Sequence, residues 1–187
     1  SRKYPAIILQ SEREAGDQVL HIKNMSKSLD GEVLFSGLDL NVTKGDKIAL
    51  LCSNSLSTTA LYSILNGEDK PDGGEFTFGQ TITTAHLPNE NEEFIEDKLN
   101  LIDWLRQFSA NKDEVYLRGF LGKMLFSGEE TFKMADVLSG GEKVRCMISR
   151  MMLKGGNVLM LDEPTNHLDL ESIQAFNNAL MDFPGTV

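Results

Sequence analysis

Only two cysteines, Cys52 and Cys146, occur in 187 residues. That is too few for a disulfide framework, and reduced thiols are the expectation. No apolar run approaches the ~18 residues that a membrane-spanning helix needs. The four apolar residues Ala6 to Leu9, behind Ser1-Arg2-Lys3-Tyr4-Pro5, are too short a run for a secretory leader. A cytoplasmic location is therefore expected. Cations are scarce as well: 18 Lys and Arg face 28 Asp and Glu, a formal charge of −10. Such a domain is a poor autonomous binder of nucleic acid, because phosphate contacts dominate that affinity. A nucleoprotein gripped by other parts of a longer protein stays compatible with this charge. Repeats and low-complexity segments are absent too. What is present is an ordinary globular composition, 41% hydrophobic and 25% charged, in a length that suits one domain with a real core.

The pattern alternates strands with helices. Val19 to Met25 and Val33 to Val42 alternate apolar and polar residues around the turn signal Asp30-Gly31, which predicts a hairpin. Lys47 to Leu51 is a short continuous apolar run after the turn Lys44-Gly45-Asp46, as expected of a buried strand. Thr59 to Asn66 reads as a helix stopped by Gly67. Pro71 to Gly74 is a loop, and Glu75 to Phe78 and Thr81 to Leu87 read as strands. Apolar residues then take helical spacing over Asn100 to Phe108 and Lys112 to Leu125, a helical segment at about 96–136. Gly140 to Met152 is a further helix. Asn157 to Leu161 is the most hydrophobic strand, and Glu171 to Met181 a closing helix. His21 and His86 fall in strands and read as structural. Cys146, on the helix, reads as a small core residue.

Three segments carry chemistry together. Leu138-Ser139-Gly140-Gly141-Glu142 opens a helix with backbone amides suited to a phosphate. Val158 to Leu161 is a buried strand that delivers Asp162 and Glu163 to the sheet's C-terminal edge, where ligands bind in open α/β sheets. Pro164-Thr165-Asn166-His167-Leu168-Asp169 follows directly. This ordered set resembles the signature motif, Walker B strand and D-loop of an ABC ATPase. Each piece alone is weak, and the set with its spacing is specific. Within that superfamily the Glu163 to Asp169 stretch most resembles the ABC-F proteins, as does Leu117 to Gly128. Ser1 to Pro5 resembles the end of an interdomain linker.

The resemblance implies an α/β fold: a mixed central sheet around the phosphate loop, an antiparallel β layer and a helical subdomain. It implies a linker end at 1–16 and an ABC domain at 17–187 that stops before the strand bearing the switch histidine. This would be the second, C-terminal ABC domain of a two-domain chain without a membrane domain, acting on the ribosome. ATP and Mg²⁺ are the implied cofactors. Asp162 would order the metal, with Thr59 as its other protein ligand, and Glu163 would polarise the attacking water. Ser139, Gly140, Gly141 and Glu142 would serve the nucleotide held by a second ABC domain. The Q-loop glutamine maps near Asn89, a shorter amide. His167 reads as a local loop residue.

The phosphate loop departs from this family. The pattern Gly-x-x-x-x-Gly-Lys-Ser/Thr is replaced by Cys52-Ser53-Asn54-Ser55-Leu56-Ser57-Thr58-Thr59. Cys52 and Ser57 stand for glycines and Thr58 for the lysine, and only Thr59 fits. The missing lysine removes a charge-assisted bond of ~1.5–3 kcal/mol. Side chains at 52 and 57 are expected to crowd the phosphates. If the loop needs positive φ there, each costs ~1–3 kcal/mol. Lys44 and Lys47 begin the strand at its far end and cannot replace the lost charge. Ser28-Leu29-Asp30 offers no aromatic for adenine. The expectation is weak ATP binding by this half. The alternatives are a non-hydrolysing regulatory half and the ATP-binding subunit of a membrane transporter. The ABC-F-like stretch and the linker-like start argue against the last.

Overall fold

The computed structural model describes residues 4–95 and 98–187. The first three residues of the expected linker, and Glu96 and Asp97 at the start of the expected helical segment, lie outside the described residues. The hairpin forms: β1 (Gln18–Leu29) pairs antiparallel with β2 (Glu32–Thr43). Its two turn residues, Asp30 at φ +49° and Gly31 at φ +82°, both take the positive φ that a tight type I′ turn requires. β3 (Gly73–Phe78) joins the other edge of β1, giving the order β2-β1-β3. Val19, Ile22 and Met25 of β1 are buried. They pack with Leu61, Ile64 and Leu65 of α1 (Ser55–Leu65).

β4 (Thr84–Leu87) and β5 (Val158–Leu161) form a parallel pair. Val158 and Met160 face the α1 layer, whereas Leu159 joins Ala85 and Leu87 in the second core. Burial on both faces is what a continuous apolar strand asks for. The second core is helical: α2 (Glu92–Ile95), α3 (Leu101–Arg106), α4 (Glu114–Lys123), α5 (Gly140–Lys154) and α6 (Leu170–Asp182). Trp104, Leu105, Leu117, Leu121, Met147 and Phe176 are fully buried there. Asn100, Asp113 and Asp169 cap α3, α4 and α6 with their side chains, which satisfies helix-end amides. Ile7 and Leu9 of the N-terminal segment are buried against this core, and Ala6 N–H donates to the Lys123 carbonyl at 2.7 Å.

One expected strand is missing. Lys47 to Leu51 has no strand conformation. Thr186 and Val187 sit between β5 and this backbone: Leu159 N–H donates to the Thr186 carbonyl, Ile48 N–H to the Val187 carbonyl at 2.8 Å, and Val187 N–H to the Asp46 carbonyl at 3.0 Å. Ile48 and Leu50 pack against the first core, whereas Ala49 is exposed and Leu51 is 95% exposed, so the run buries one face only. Smaller shifts also occur. α1 starts at Ser55 rather than Thr59, and β4 at Thr84 rather than Thr81. The α/β class, the antiparallel layer and the helical segment stand as expected.

Candidate functional site

β5 places Asp162 at its C-terminal end, 2% exposed. The Thr59 hydroxyl donates to Asp162 Oδ2 at 2.6 Å. The second oxygen, Oδ1, is buried without a partner among the described residues. Burial raises the Asp162 carboxyl, the Thr59 hydroxyl lowers it, and Glu163 next door raises it again, for a net upward shift. Tyr62 reinforces this wall. Its hydroxyl donates to the Leu161 carbonyl at 3.2 Å, and burial, with the charge of Asp162, pushes it up to about 12. A buried carboxylate oxygen lacking a donor, paired with a hydroxyl, is a hard oxygen donor set suited to Mg²⁺. No cluster of three His, Cys, Asp or Glu that could hold a metal occurs among the described residues. A cation here would therefore need ligand oxygens beyond the protein's own.

Glu163 follows on exposed backbone with φ +48°, a left-handed conformation that costs a non-glycine residue ~1–3 kcal/mol. Asn166 compensates, donating its side-chain amide to Glu163 Oε2 at 2.8 Å and its N–H to the Glu163 carbonyl. His167, also at positive φ, lies against the start of α5. A Cβ on Gly140 would stand 3.4 Å from His167 Nδ1, and one on Gly141 would stand 2.9 Å from its carbonyl oxygen. Gly141 is therefore required by close packing of the loop after β5, whereas a Cβ on Gly140 would make an ordinary contact. The local role expected for His167 agrees with this contact. Ser139 caps α5 through a capping box, accepting from Glu142 N–H while Glu142 Oε1 accepts from Ser139 N–H at 3.2 Å. Burial pushes the Glu142 carboxyl up, but the Ser139 donors and Lys133 outweigh it and leave it below the usual range.

The loop Cys52 to Thr59 is closed by its own side chains. Asn54 caps α1 by accepting from Leu56 N–H at 2.9 Å, and its amide reaches Glu32 at 3.3 Å. Ser53 and Ser55 are exposed. Cys52 Sγ lies 3.2 Å from the Thr58 hydroxyl. Ser57 is buried, and its hydroxyl donates to the Leu34 carbonyl of β2 at 2.7 Å. Two expectations change here. None of residues 52–59 has positive φ, so the anticipated strain is absent. The Ser57 side chain is held by β2, and a group so anchored does not project toward a ligand. Lys47 is engaged elsewhere, as expected, donating to the Phe183 carbonyl at 2.7 Å and to that of Gly185. Lys44 pairs with Glu14.

One cleft of about 760 Å³ gathers Leu56, Thr59, Asn89, Gly140 and Asp162, along with His167. Cys52 to Ser55, Ser57, Thr58, Ser139, Gly141, Glu142 and Glu163 do not line it. Lys143 does, a cation the motif reading passed over. Its position, two residues beyond Gly141 on the same first turn, was the available signal. Glu68, Glu90 and Asp162 face that single lysine. The cleft thus favours an anion only when a cation accompanies it. Of the other cysteine and histidines, Cys146 is fully buried, and burial pushes its thiol far up. His21 and His86 lie in β1 and β4, as read.

An α/β domain whose buried strand-end aspartate meets a threonine in the second turn of α1 fits a nucleotide-binding cassette. The family model described as ABC transporter matches residues 35–166, and the chain belongs to that family. Among curated relatives, the uncharacterized ABC transporter ATP-binding protein YkpA of Bacillus subtilis is 50% identical over all of this chain and 35% of its own length. The energy-dependent translational throttle protein EttA of Escherichia coli K12 is 32% identical over 91% of this chain and 31% of its own length. The recognition as ABC-F type agrees with these relatives, of which the chain spans about a third of the length. Among solved structures, a bacterial Atm1-family ABC exporter with ATP bound superposes with TM-score 0.73 at 15% identity, covering 98% of this chain and 35% of that one. A putative metal-chelate type ABC transporter gives 0.68 at 19%, covering 92% and 72%. At such identities these two speak for the fold alone.

Proposed function

We propose that this chain is the second ABC domain of an ABC-F ATPase that acts in translation, in the cytoplasm, at the ribosome. It presents Ser139-Gly140-Gly141 to the nucleotide of a partner ABC domain in the same full-length chain, while its own phosphate loop binds ATP weakly. The observation that carries this reading is the contrast between an intact α5 start, with Gly140 on the cleft, and a loop in which Cys52 meets the Thr58 hydroxyl and Ser57 is anchored to β2. The translation assignment draws on EttA, whose name states that activity.

In this reading Thr59 and Asp162 hold Mg²⁺, which when bound would offset phosphate charge. Glu163, fixed by Asn166, takes a proton from the attacking water. The free amides of the α5 start donate to phosphate oxygens, helped by the helix dipole. Lys143 and Asn89 supply polar contacts from the cleft wall. A regulatory half that never hydrolyses is the second reading, favoured by the closed loop. Both are tested by calorimetric titration of Mg-ATP into this chain with and without the other ABC domain. Weak binding alone, strengthened by the partner, is the expected result. Tight binding alone, with turnover abolished by Glu163→Gln, would show this half to be autonomous and overturn the assignment. Failure of the full-length protein to co-sediment with ribosomes under ATP would remove the translation role.

A further inference from the structure

A second cleft, of about 560 Å³, opens beside the first and is lined by Asn66, His86, Phe94, Phe108, Arg150 and Lys154, among others. Arg150, on α5, is held between two aromatic rings, with its guanidinium 4.4 Å from the Phe94 centroid and 4.9 Å from that of Phe108. Stacking fixes the plane of the fork. The guanidinium makes no ion pair and no hydrogen bond among the described residues. None of its nitrogens is a buried atom lacking a partner among the described residues, and the side chain lines the cleft. Burial disfavours its charge, yet a guanidinium stays protonated. A half-buried, oriented and unpaired cation of this kind is a ready anion receptor.

We propose that this cleft binds an organic carboxylate, with the planar carboxylate on the Arg150 fork and its apolar body along Phe94 and Phe108. Charge selects the class. Lys154 adds a second cation at the wall, but Glu68 also faces the cleft. His86 is neutral at physiological pH, because burial and Arg150 bring it down to about 4. The net charge lining the cleft is near that of one cation, which suits a monoanion and disfavours a phosphate dianion. The volume lies in the range of small-molecule sites.

The test uses ¹⁵N spectra of this chain titrated with sodium benzoate, following the Arg150 Nε–H, against benzamide as the uncharged isostere and inorganic phosphate as the dianion. Benzoate is expected to shift that resonance saturably. Benzamide should bind about tenfold more weakly, since a charge-assisted bond is replaced by a neutral one. Arg150→Met should abolish the shift while Arg150→Lys retains part of it, with circular dichroism confirming that both fold. A blocked Phe-Glu dipeptide is the second arm. Binding tighter than that of benzoate assigns the carboxylate to a protein side chain, and weaker binding assigns it to a free metabolite. A benzoate response that fails to saturate, that survives Arg150→Met, or that benzamide matches overturns the proposal.

Discussion

The starts of α1 and α5, whose Leu56 and Gly140 line the nucleotide-type cleft, solve the same local problem in opposite ways. Both are capped by the residue before them: Asn54 accepts from Leu56 N–H, and Ser139 accepts from Glu142 N–H. On α5 the residues after the cap are two glycines, and the missing Cβ of Gly141 lets the His167 carbonyl pack close. On α1 glycine is absent, and Cys52, Ser57 and Thr58 fold their polar atoms onto each other and onto β2. A capped helix start is therefore not in itself a phosphate site. What differs is whether side chains leave the backbone open.

The largest test of this contrast is Ser139→Arg in the full-length protein. A long side chain at the α5 cap removes the capping box and fills the approach to Gly140. ATP hydrolysis should fall about a hundredfold, the scale of losing oriented donors at a reacting phosphate. Thr58→Ala should leave it nearly unchanged. Steady-state rates of the two variants decide, and the reverse ranking would make the 52–59 loop the working one.

Repairing the closed loop comes next in size. Thr58→Lys with Cys52→Gly restores a phosphate cation and frees the backbone, for ~1.5–3 kcal/mol of binding, or roughly ten- to a hundredfold in affinity. Thr59 and Asp162 already face each other. Adding Ser57→Gly should bring no further gain, because the Ser57 side chain is engaged with Leu34. Calorimetry of the parent, the double and the triple variant separates these outcomes. An inert double variant that is folded would place the limit outside the 52–59 loop.

The segment Lys47 to Leu51 shows what the sequence could and could not reveal. The hairpin, the five-strand count without residues 47–51, and the helices α3 to α6 were legible because period and turn residues are local: the turn Asp30-Gly31 and the helical spacing over Asn100 to Phe108 and Lys112 to Leu125. Lys47 to Leu51 has the composition of a buried strand, but a strand depends on a neighbour, and no property of those five residues reports which backbone they meet; Ile48 N–H meets the Val187 carbonyl. The candidate site divides the same way. Motif spacing singled out Asp162, Thr59 and Gly140, and the three line one cleft. The direction of the Ser57 hydroxyl depends on β2, remote in sequence, and Arg150 between Phe94 and Phe108 depends on three separate elements.

His86 tests the wall shared by both clefts. Asn66 donates its amide to Nδ1 at 3.0 Å, which leaves the proton on Nε2, buried without a partner among the described residues. Burial, then Arg150, lowers this imidazole from 6.5 to about 4. The folded state thus refuses a proton that the unfolded chain accepts. Stability is full above pH 6.5 and falls as pH drops from there toward 4, below which this contribution is flat. The loss should reach ~2 kcal/mol after allowance for the ring's partial exposure. Urea denaturation at pH 7 and pH 5 should show part of this loss, and His86→Gln should reduce it. An equal loss in the variant would assign the pH dependence to carboxylates.

The smallest expected effect, at Ser57, is also the sharpest probe of the loop. Its hydroxyl is buried and donates to a strand carbonyl at 2.7 Å. Ser57→Ala removes the donor and leaves the Leu34 carbonyl short of that bond, a cost of ~1 kcal/mol. Ser57→Gly removes the same bond and adds backbone freedom at a helical position, for about 1 kcal/mol more. Ser57→Thr keeps the hydroxyl and should stay within roughly 0.5 kcal/mol of the parent if the added methyl is accommodated. The ranking Thr, Ala, Gly in chemical denaturation identifies an anchoring hydroxyl. If Ser57→Gly were instead as stable as the parent, the residue would be an incidental replacement of glycine, and the closed state of the loop would rest on Asn54 and the Cys52–Thr58 contact alone.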